Sequence, residues 1–474
     1  MSLTSGSYIF FLAGVFFVYW MLSRWPRLRV GFILAASYYF YALLNWKFVA
    51  VLLALSTVDF LTARSIGAPD ASARRRKLFL TVSLLADIGA LFTFKYFNFF
   101  SGSIAEALNR LGWHASPLLL RTLAPLGLSF IAFRSLSYVV DVYRRQSEPT
   151  ARYFDYLAFV AFFPTILAGP LARAKQLLPQ FRAPMTLTSE EGSQAIFLIV
   201  LGLVKKIAVA DYLANNLVGR VFDQPQLYSS VETMAAIYGY ALQIYFDFSG
   251  YSDIAIGSAL LLGFRLPVNF NSPYRAASLP DFWRRWHITL SEWLRDYVFC
   301  SIPGSPRRPF NLYRNAVITM LVGGLWHGAG WTFLAWGGMH GLGVAVNQWW
   351  EQRRRKQRRK ARTDWWVKPL CVLVTFHFVC LTWVFFRAAS LRQAWDVLAR
   401  LGAFKFEGAN LAPPVLAVLV LGYLSHWIPK GAFEKASDGW AWLPSPVQAG
   451  LILSIAYGLY YLSSAEVQFI YGNF

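Results

Sequence analysis

Polar residues that could do chemistry occur in three short segments of an otherwise apolar chain. The first segment contains two carboxylates, Asp247 and Asp253, with Ser249 and Gly250 between them. A charged side chain at the centre of a lipid bilayer costs about 2.5–3.5 kcal/mol, so each carboxylate is expected to be paired or to face a cavity. Gly250 would allow a sharp bend between two helical halves of the segment. We interpret it as a wall of a substrate tunnel; a helix break without chemistry is the alternative.

The second segment combines amides, arginines and a histidine. Its polar members, in chain order, are Asn269, Asn271, Arg284, Arg285, His287 and Ser291. On one helix, Arg284, His287 and Ser291 would share a face, because they are three and four residues apart. At the cytosolic mouth of a cavity, the arginines would suit an anionic, phosphate-bearing donor. The alternative is an interfacial amphipathic helix with snorkelling arginines.

The third segment places a histidine among glycines in an uncharged run. It contains Trp326, His327 and Gly328. A neutral imidazole can act as a general base near neutral pH, and glycine lets a substrate approach closely. The alternative is an interhelical hydrogen bond from His327. The other histidines, which we interpret as structural or incidental, are His114, His340, His377 and His426.

Other catalytic and metal-binding patterns are missing from the sequence. The three cysteines, Cys300, Cys371 and Cys380, have no metal-type spacing. There is no nucleophile elbow, phosphate-binding loop or paired zinc-ligand motif. No metal site is therefore predicted.

The composition predicts a polytopic membrane protein. Of the 474 residues, 56% are hydrophobic and only 15% are charged, whereas soluble domains carry about 25% charged residues. The net charge of +21 falls in short clusters between apolar runs, which the positive-inside rule explains without nucleic acid as a partner. No repeat or linker divides the chain, so a single domain over residues 1–474 is predicted.

The order of apolar runs predicts an all-α fold. About eleven transmembrane helices are expected, together with re-entrant or interfacial helices where the runs at 154–171, 196–210 and 233–246 are interrupted. Basic residues cluster at 24–29, 74–77 and 144–152 on alternate loops, which predicts an N-terminus outside the cell. A cluster at 353–362, with eight Lys or Arg, is predicted to be cytosolic.

Five segments together resemble the membrane-bound O-acyltransferase (MBOAT) family. They are residues 162–170 (FFPTILAGP), 245–253 (YFDFSGYSD), 269–274 (NFNSPY), 282–291 (FWRRWHITLS) and 324–328 (GLWHG). They follow the family order within a motif-bearing core at about residues 160–342. Within the family, the resemblance is to the bacterial branch of alginate O-acetylation and teichoic-acid D-alanylation.

This resemblance implies a ring of helices around a central funnel in the bacterial inner membrane. A thioester donor such as acetyl-CoA would enter from the cytosol, an acceptor hydroxyl would enter from outside, and no cofactor would be bound. His327, beside Trp326, would be the catalytic histidine, and His287 would be the second polar catalytic residue. The implied partners are membrane lipid, a periplasmic or membrane-anchored acetyltransferase and a polysaccharide as final acceptor.

Two other functions remain open from the sequence alone. One is D-alanyl transfer from a carrier protein to a cell-wall polymer. The other is a transporter or channel in which Asp247, Asp253, His287 and His327 line a path without chemistry. Acetyl transfer toward an exported polysaccharide is the favoured interpretation.

Overall fold

The computed structural model describes residues 2–121, 125–304, 308–357, 364–462 and 469–470. These residues form twenty α-helices joined by short 3₁₀ and π segments, and no strand occurs among them. They divide into two compact units. The first contains the described residues of Met1–Glu191 and Ser258–Pro267, and the second those of Gly192–Gly257 and Val268–Tyr471.

The first unit contains the N-terminal helices. They are α1 (Gly6–Met21), α2 (Pro26–Ala42), α3 (Trp46–Ile66), α4 (Ala73–Leu91), α5 (Phe97–Arg110), α6 (Leu128–Tyr143), α7 (Tyr153–Ala161) and α8 (Ala174–Leu177). The local sequence determines where several of these helices begin. The side chains of Ser5, Asn45 and Ser72 accept hydrogen bonds from backbone N–H groups in the first turns of α1, α3 and α4.

The interrupted run at 154–171 becomes a short helix followed by buried irregular backbone. Helix α7 ends at Ala161, and residues 162–173 are almost wholly buried. The Arg134 guanidinium donates to the carbonyl oxygens of Phe159 (3.0 Å), Val160 (2.7 Å) and Thr165 (3.2 Å). It thereby satisfies carbonyl groups that the end of the helix leaves without partners.

Arg29, a residue of the first basic cluster, lies in helix α2 and not in a loop. Arg29 is 1% exposed, and its Nη2 donates to the carbonyl oxygens of Phe181 and Ala183 at 2.9 Å. Its hydrogen bonds to distant backbone bury it, so it is not an exposed charge of the preceding loop.

The second unit contains the motif-bearing helices. They are α9 (Ser189–Val204), which begins at the boundary, α10 (Gly219–Asp223), α11 (Ser230–Leu261), α12 (Leu279–Trp283), α13 (Ile288–Trp293), α14 (Pro309–His327), α15 (Trp331–Lys356), α16 (Val367–Arg387), α17 (Leu391–Leu401), α18 (Pro413–His426), α19 (Lys430–Trp442) and α20 (Ser445–Leu462). Two π segments, Lys205–Asp211 and Ala214–Val218, follow α9. Helix α14, which carries His327, was not among the predicted spans.

Glycines hold α9 and α11 in backbone contact. A Cβ atom on Gly202 would lie 2.5 Å from the Gly250 carbonyl oxygen, and one on Gly257 would lie 2.5 Å from that of Ala195. No real Cβ makes so short a contact, so these positions require glycine. The bend that Gly250 would allow does not occur: α11 continues through it, and the glycine instead permits a close helix crossing.

Three helices of the described chain are long and apolar enough to cross a membrane: Trp46–Ile66, Ala73–Arg110 and Val367–Arg387. A fourth span results if Pro413–His426 and Gly431–Trp442, bent by 98°, are counted together. The count of about eleven is therefore not confirmed. Several predicted spans are short as helices; α1, for example, has 16 residues, and spanning needs about 20.

Candidate active site

His327 is the last residue of α14, and glycines bring it against α15. A Cβ atom on Gly324 would lie 2.4 Å from the Phe333 carbonyl oxygen, and one on Gly337 would lie 2.4 Å from that of Met320. The two backbones can pack this closely only because both positions lack a side chain. The C-terminal end of α14 is thereby fixed beside the first turns of α15.

Aromatic rings surround the His327 imidazole. The side chain is 1% exposed, and its ring centroid lies 5.0 Å from Trp336 of α15 in a nearly perpendicular arrangement. Phe386 of α16 lies 5.1 Å away, and Trp326 lies 4.8 Å away. The imidazole therefore occupies an environment that is almost free of water.

The segment around His287 is not the single helix that the spacing predicted. Helix α12 ends at Trp283 and α13 begins at Ile288, while His287 between them adopts φ +40°. A non-glycine residue in this left-handed region is uncommon and strained. Arg284 and His287 consequently do not share a face: the Arg284 side chain is 71% exposed, whereas His287 is fully buried.

The Asn269 carboxamide positions His287 in this strained turn. Its Oδ1 accepts from the Thr289 hydroxyl at 2.7 Å and lies 3.3 Å from Nδ1 of His287. Its Nδ2 donates to the Ser252 hydroxyl of α11 at 3.3 Å. Since a carbonyl oxygen only accepts, this arrangement assigns the hydrogen of a neutral His287 to Nδ1 and leaves Nε2 as the acceptor nitrogen.

The two predicted catalytic histidines pack against the same indole. The Trp326 ring lies 4.8 Å from that of His327 and 6.0 Å from that of His287. Phe248 of α11 contacts His287 edge-on at 4.6 Å. Residues from α11, α14 and the turn before α13 therefore meet at one buried aromatic position.

The two carboxylates of α11 are paired with consecutive lysines. Nζ of Lys205 lies 2.6 Å from Asp253, and Nζ of Lys206 lies 2.7 Å from both Asp247 and Asp211. Of the two sequence-based alternatives, pairing or a cavity, the structure shows pairing. The glycine contact between α9 and α11 brings the lysines within reach.

A segment near the C-terminal end of the chain covers this face of α11. The ring of Phe469 stacks on Tyr251 at 4.2 Å, and the backbone N–H of Ile470 donates to Oδ2 of Asp247 at 2.8 Å. Ser249, between these contacts along the helix, is also buried. Sequence reasoning missed this segment, because no local pattern indicated where it would dock.

Asn271 and the two arginines lie around the turn after residue 269. The Asn271 backbone N–H donates to the Arg285 carbonyl oxygen at 2.9 Å, and Nε of Arg285 donates to Asp281 at 3.0 Å. Arg284 makes only a 3.7 Å ion pair with Asp281. Arg285 thus stabilises the turn, whereas the Arg284 side chain is exposed on the protein surface.

An apolar cavity of about 390 Å³ lies beside these residues. Ser291, whose hydroxyl donates to the Trp286 carbonyl oxygen at 3.1 Å, is one of its few polar lining residues. The other lining residues come from α12, α14, α15 and the segment after α13, and include Trp283, Leu294, Arg295, Met320, Val344 and Gln348. Neither His287 nor His327 lines this cavity.

The sequence model of the membrane-bound O-acyltransferase family matches residues 33–386. The chain belongs to this family. It is a membrane protein and an O-acyltransferase. The MBOAT match includes all the predicted site residues, and the interpretation as a transporter or channel is set aside.

Bacterial relatives in this MBOAT family act on different polymers. The chain is 37% identical over 430 residues to a probable alginate O-acetylase AlgI of Pseudomonas aeruginosa, covering 90% of this chain and 80% of the relative. It is 32% identical over 511 residues to a peptidoglycan O-acetyltransferase of Helicobacter pylori, covering 97% and 94%. It is 29% identical over 303 residues to a teichoic acid D-alanyltransferase of Streptococcus thermophilus, covering 57% and 69%.

His426 of this MBOAT protein, which the sequence left as structural or incidental, is a structural residue. It is buried, and its Nε2 accepts from the Tyr274 backbone N–H at 3.1 Å. Its ring also contacts Tyr245 of α11 at 4.8 Å. His340 donates to or accepts from the Thr382 hydroxyl at 2.9 Å, as a structural residue would. Within the described ranges, no three His, Cys, Asp or Glu residues are grouped to hold a metal ion.

Proposed function

We propose that this enzyme transfers an acetyl group from a thioester donor to a hydroxyl group of an exported or cell-envelope polysaccharide. The observation that carries the proposal is the burial of His287 and His327 around the Trp326 indole. Two of the relatives, the alginate and peptidoglycan enzymes, are named as O-acetylating proteins. Their identities of 37% and 32% exceed the 29% of the D-alanyltransferase.

In the proposed reaction His327 acts as general base. Its imidazole accepts the proton of the acceptor hydroxyl while the oxygen attacks the thioester carbonyl carbon. The carbon–sulfur bond breaks, and the thiolate takes up the proton, so an ester and a free thiol form. General-base catalysis contributes about 10²–10⁴-fold, and positioning of the two substrates supplies further acceleration.

His287 positions the acceptor hydroxyl in this proposal. Because Asn269 holds the hydrogen on Nδ1, Nε2 of the neutral ring accepts a hydrogen bond and does not donate one. It is therefore suited to orienting the acceptor sugar through a neighbouring hydroxyl group, because the single proton of the reacting hydroxyl goes to His327. It is less suited to stabilising a developing oxyanion. Asn269 and its neighbour Ser252 serve as positioning residues.

Donor binding is assigned to the region of Arg284 and the apolar cavity. The exposed guanidinium of Arg284 suits phosphate groups of a donor such as acetyl-CoA. The cavity volume of about 390 Å³ and its apolar lining suit a flexible donor arm, with Ser291 and Arg295 as its polar contacts. No bound cofactor is required. Arg285 and Asn271 shape the turn that presents Arg284.

Asp247, Ser249 and Asp253 are proposed to form the wall of the substrate tunnel. Their helix, α11, also carries Phe248 against His287. Ion pairs with Lys205 and Lys206 keep the two carboxylates in place at low dielectric. Asp247 and Asp253 therefore support the tunnel wall without taking part in proton transfer.

For the cellular setting, we propose a multi-pass protein of the bacterial inner membrane. The apolar runs of the sequence suggest about eleven spans, and the family resemblance suggests a central funnel. The positions of the basic clusters suggest an N-terminus outside the cell. Residues 1–474 would act as one domain, since the family match at 33–386 runs through both compact units. The expected partners are membrane lipid, a periplasmic or membrane-anchored acetyltransferase, and a polysaccharide.

The orientation is testable by cysteine labelling in intact cells. Lys356, in the basic last turn of α15, is proposed to face the cytosol. The Lys356→Cys variant should resist a membrane-impermeant thiol reagent until the cells are opened. Labelling from outside would contradict the orientation. Residues 358–362 of the same basic cluster lie outside the described residues.

D-alanyl transfer remains the second candidate, because the teichoic acid D-alanyltransferase matches 57% of this chain. Purified full-length protein should release free CoA from labelled acetyl-CoA when an acceptor sugar is present. His327→Ala should lower this release by about 10²–10⁴-fold. Turnover of a D-alanyl carrier protein without turnover of acetyl-CoA would support the second candidate and overturn the first.

A further inference from the structure

Helix α4 buries a polar stripe, although it belongs to a membrane-spanning candidate. The apolar helical stretch Ala73–Arg110 is long enough to cross a bilayer. Within α4 the buried residues are Ser83, Asp87 and Leu91, spaced four residues apart on one face. The helix therefore turns a serine and an aspartate toward the protein, and leaves most of its apolar side chains outside.

The helix face that packs against this stripe is also polar. Helix α3, a second membrane-spanning candidate, buries Ser56 and Asp59 on one face. The Ser83 hydroxyl donates to Oδ1 of Asp59 at 2.6 Å. Ser135 of α6 adds another hydroxyl toward Asp59. Four helices thus contribute to one buried polar cluster, because Tyr156 of α7 in turn donates to Ser135 at 3.3 Å.

Several oxygens of this cluster have no hydrogen-bond partner in the described part of the chain. They are both carboxylate oxygens of Asp87, Oδ2 of Asp59 and the hydroxyl oxygen of Ser56. All three side chains are 0% exposed. Buried polar atoms of this kind are nearly always satisfied in proteins, so these oxygens point to a bound group.

Basic side chains do not neutralise the two carboxylates. Among the described residues, Asp59 and Asp87 take part in no salt bridge, and the two interact with each other electrostatically. Nζ of Lys95, beyond the end of α4, donates to Ser129 of α6 at 3.2 Å. The Arg64 guanidinium lies over the Phe60 ring at 5.8 Å. The nearby titratable tyrosines are Tyr138 and Tyr156.

We propose that Asp59, Asp87 and the surrounding serine hydroxyls bind a monovalent cation, either a sodium ion or a proton. Oxygen-only ligand sets suit hard cations, and ionisable residues inside membrane helices commonly form ion or proton sites. A sodium ion would be coordinated by several of these oxygens, whereas a proton would bind covalently to one oxygen of a carboxyl group. Both supply a single positive charge to a buried pair of acids.

The test uses the purified full-length protein in detergent with NaCl alone as probe. At a fixed alkaline pH, NaCl should raise the melting temperature above that in choline chloride of equal ionic strength, by about 3 °C or more at saturation. If the cation is a proton, sodium has no effect, but lowering the pH to neutral raises the melting temperature. The sign follows because the folded state then binds the proton more tightly than the unfolded state.

Two variants decide whether this cluster is the site. Asp87→Asn should abolish the sodium or acid response. Asp155→Asn is the matched control: Asp155 is a buried aspartate of the same unit, but it is paired with Arg182 at 2.6 Å, so its loss should leave the response at the wild-type value. Equal responses of the wild type and Asp87→Asn would overturn the proposal.

A milder variant keeps the test decisive if Asp87→Asn does not accumulate. Ser56→Ala removes one neutral oxygen from the same face as Asp59 and leaves the charge unchanged. It should weaken the apparent sodium affinity several-fold, or reduce the acid stabilisation if the cation is a proton. An unchanged response would overturn the proposal.

Discussion

The carboxamide oxygen of Asn269 lies 3.3 Å from Nδ1 of His287. The same oxygen accepts from the Thr289 hydroxyl, and the Ile288 backbone N–H donates to the Asn269 carbonyl oxygen at 2.9 Å. These contacts hold a histidine in a left-handed conformation and fix which nitrogen carries its hydrogen. A loop residue 18 positions earlier therefore determines what His287 can do.

Asn269→Ala should reduce kcat by about tenfold or more with little change in donor KM, because a buried hydrogen bond is lost. Asn269→Asp keeps an acceptor oxygen facing His287 and should retain more activity than the alanine variant. The measurement is the turnover of labelled acetyl-CoA by the two variants at matched amounts of protein. Equal losses in the two variants would indicate that Asn269 only supports folding.

His327→Ala should lower acetyl transfer by about 10²–10⁴-fold, the usual contribution of a general base. Membrane insertion and donor affinity should remain near wild type. His114→Ala is the control, since His114 is exposed in a loop, and it should be near neutral. More than about a tenth of wild-type activity in His327→Ala would contradict the assignment. If that variant does not accumulate, His327→Gln replaces it.

The two adjacent arginines should have different roles, Arg284 in donor binding and Arg285 in the stability of the fold. Arg284→Gln should raise the donor KM several-fold without changing the melting temperature, because its side chain is exposed and weakly paired. Arg285→Gln should lower the melting temperature, because it removes the 3.0 Å contact with Asp281. Steady-state kinetics and thermal unfolding of both variants check this. Similar effects of both would argue against a donor-binding role for Arg284.

Gly250→Ala should destabilise the protein by about 1–3 kcal/mol, the usual effect of overpacking. Its Cβ atom would lie 2.7 Å from the Gly202 carbonyl oxygen. Gly458→Ala in α20 is the control, because no atom lies within 4 Å of its added Cβ. The measurement is the melting temperature of each of the two variants in detergent. A stable Gly250→Ala variant would show that α9 and α11 can separate without cost.

Phe469→Ala should lower the acetyl-transfer rate by a few fold, because it removes a ring stacked on Tyr251 at 4.2 Å, and such aromatic pairs contribute about 0.5–1.5 kcal/mol. Tyr460→Ala removes an exposed aromatic side chain of α20 and serves as control. Activity per amount of membrane-inserted protein is the measurement. Equal activity of the two variants would show that this segment does not support the site.

The structure decides between the two interpretations, structural or incidental, that the sequence left open for His426. The side chain is buried and bonded to the Tyr274 backbone, so its role is structural. Its replacement by alanine should therefore lower the melting temperature. Contacts between α18 and the loop after residue 269 depend on pairing across 152 positions, which no local pattern reveals.

The sequence by itself determined the helical membrane character, the family resemblance and the identity of the polar segments. Charge is costly in lipid, so Asp247, Asp253 and His327 stood out against apolar neighbours. These properties are local, and the family comparison confirmed the resemblance.

Only the tertiary structure decided which partners satisfy those polar groups. The break before His287, the pairing of Lys206 with Asp247, and the docking of Phe469 all depend on contacts between distant segments. Asp59 and Asp87 were hidden within apolar runs that predicted plain spans. Hydropathy averages each run along the chain, whereas the cost of a buried charge depends on the atoms that neighbouring helices place against it.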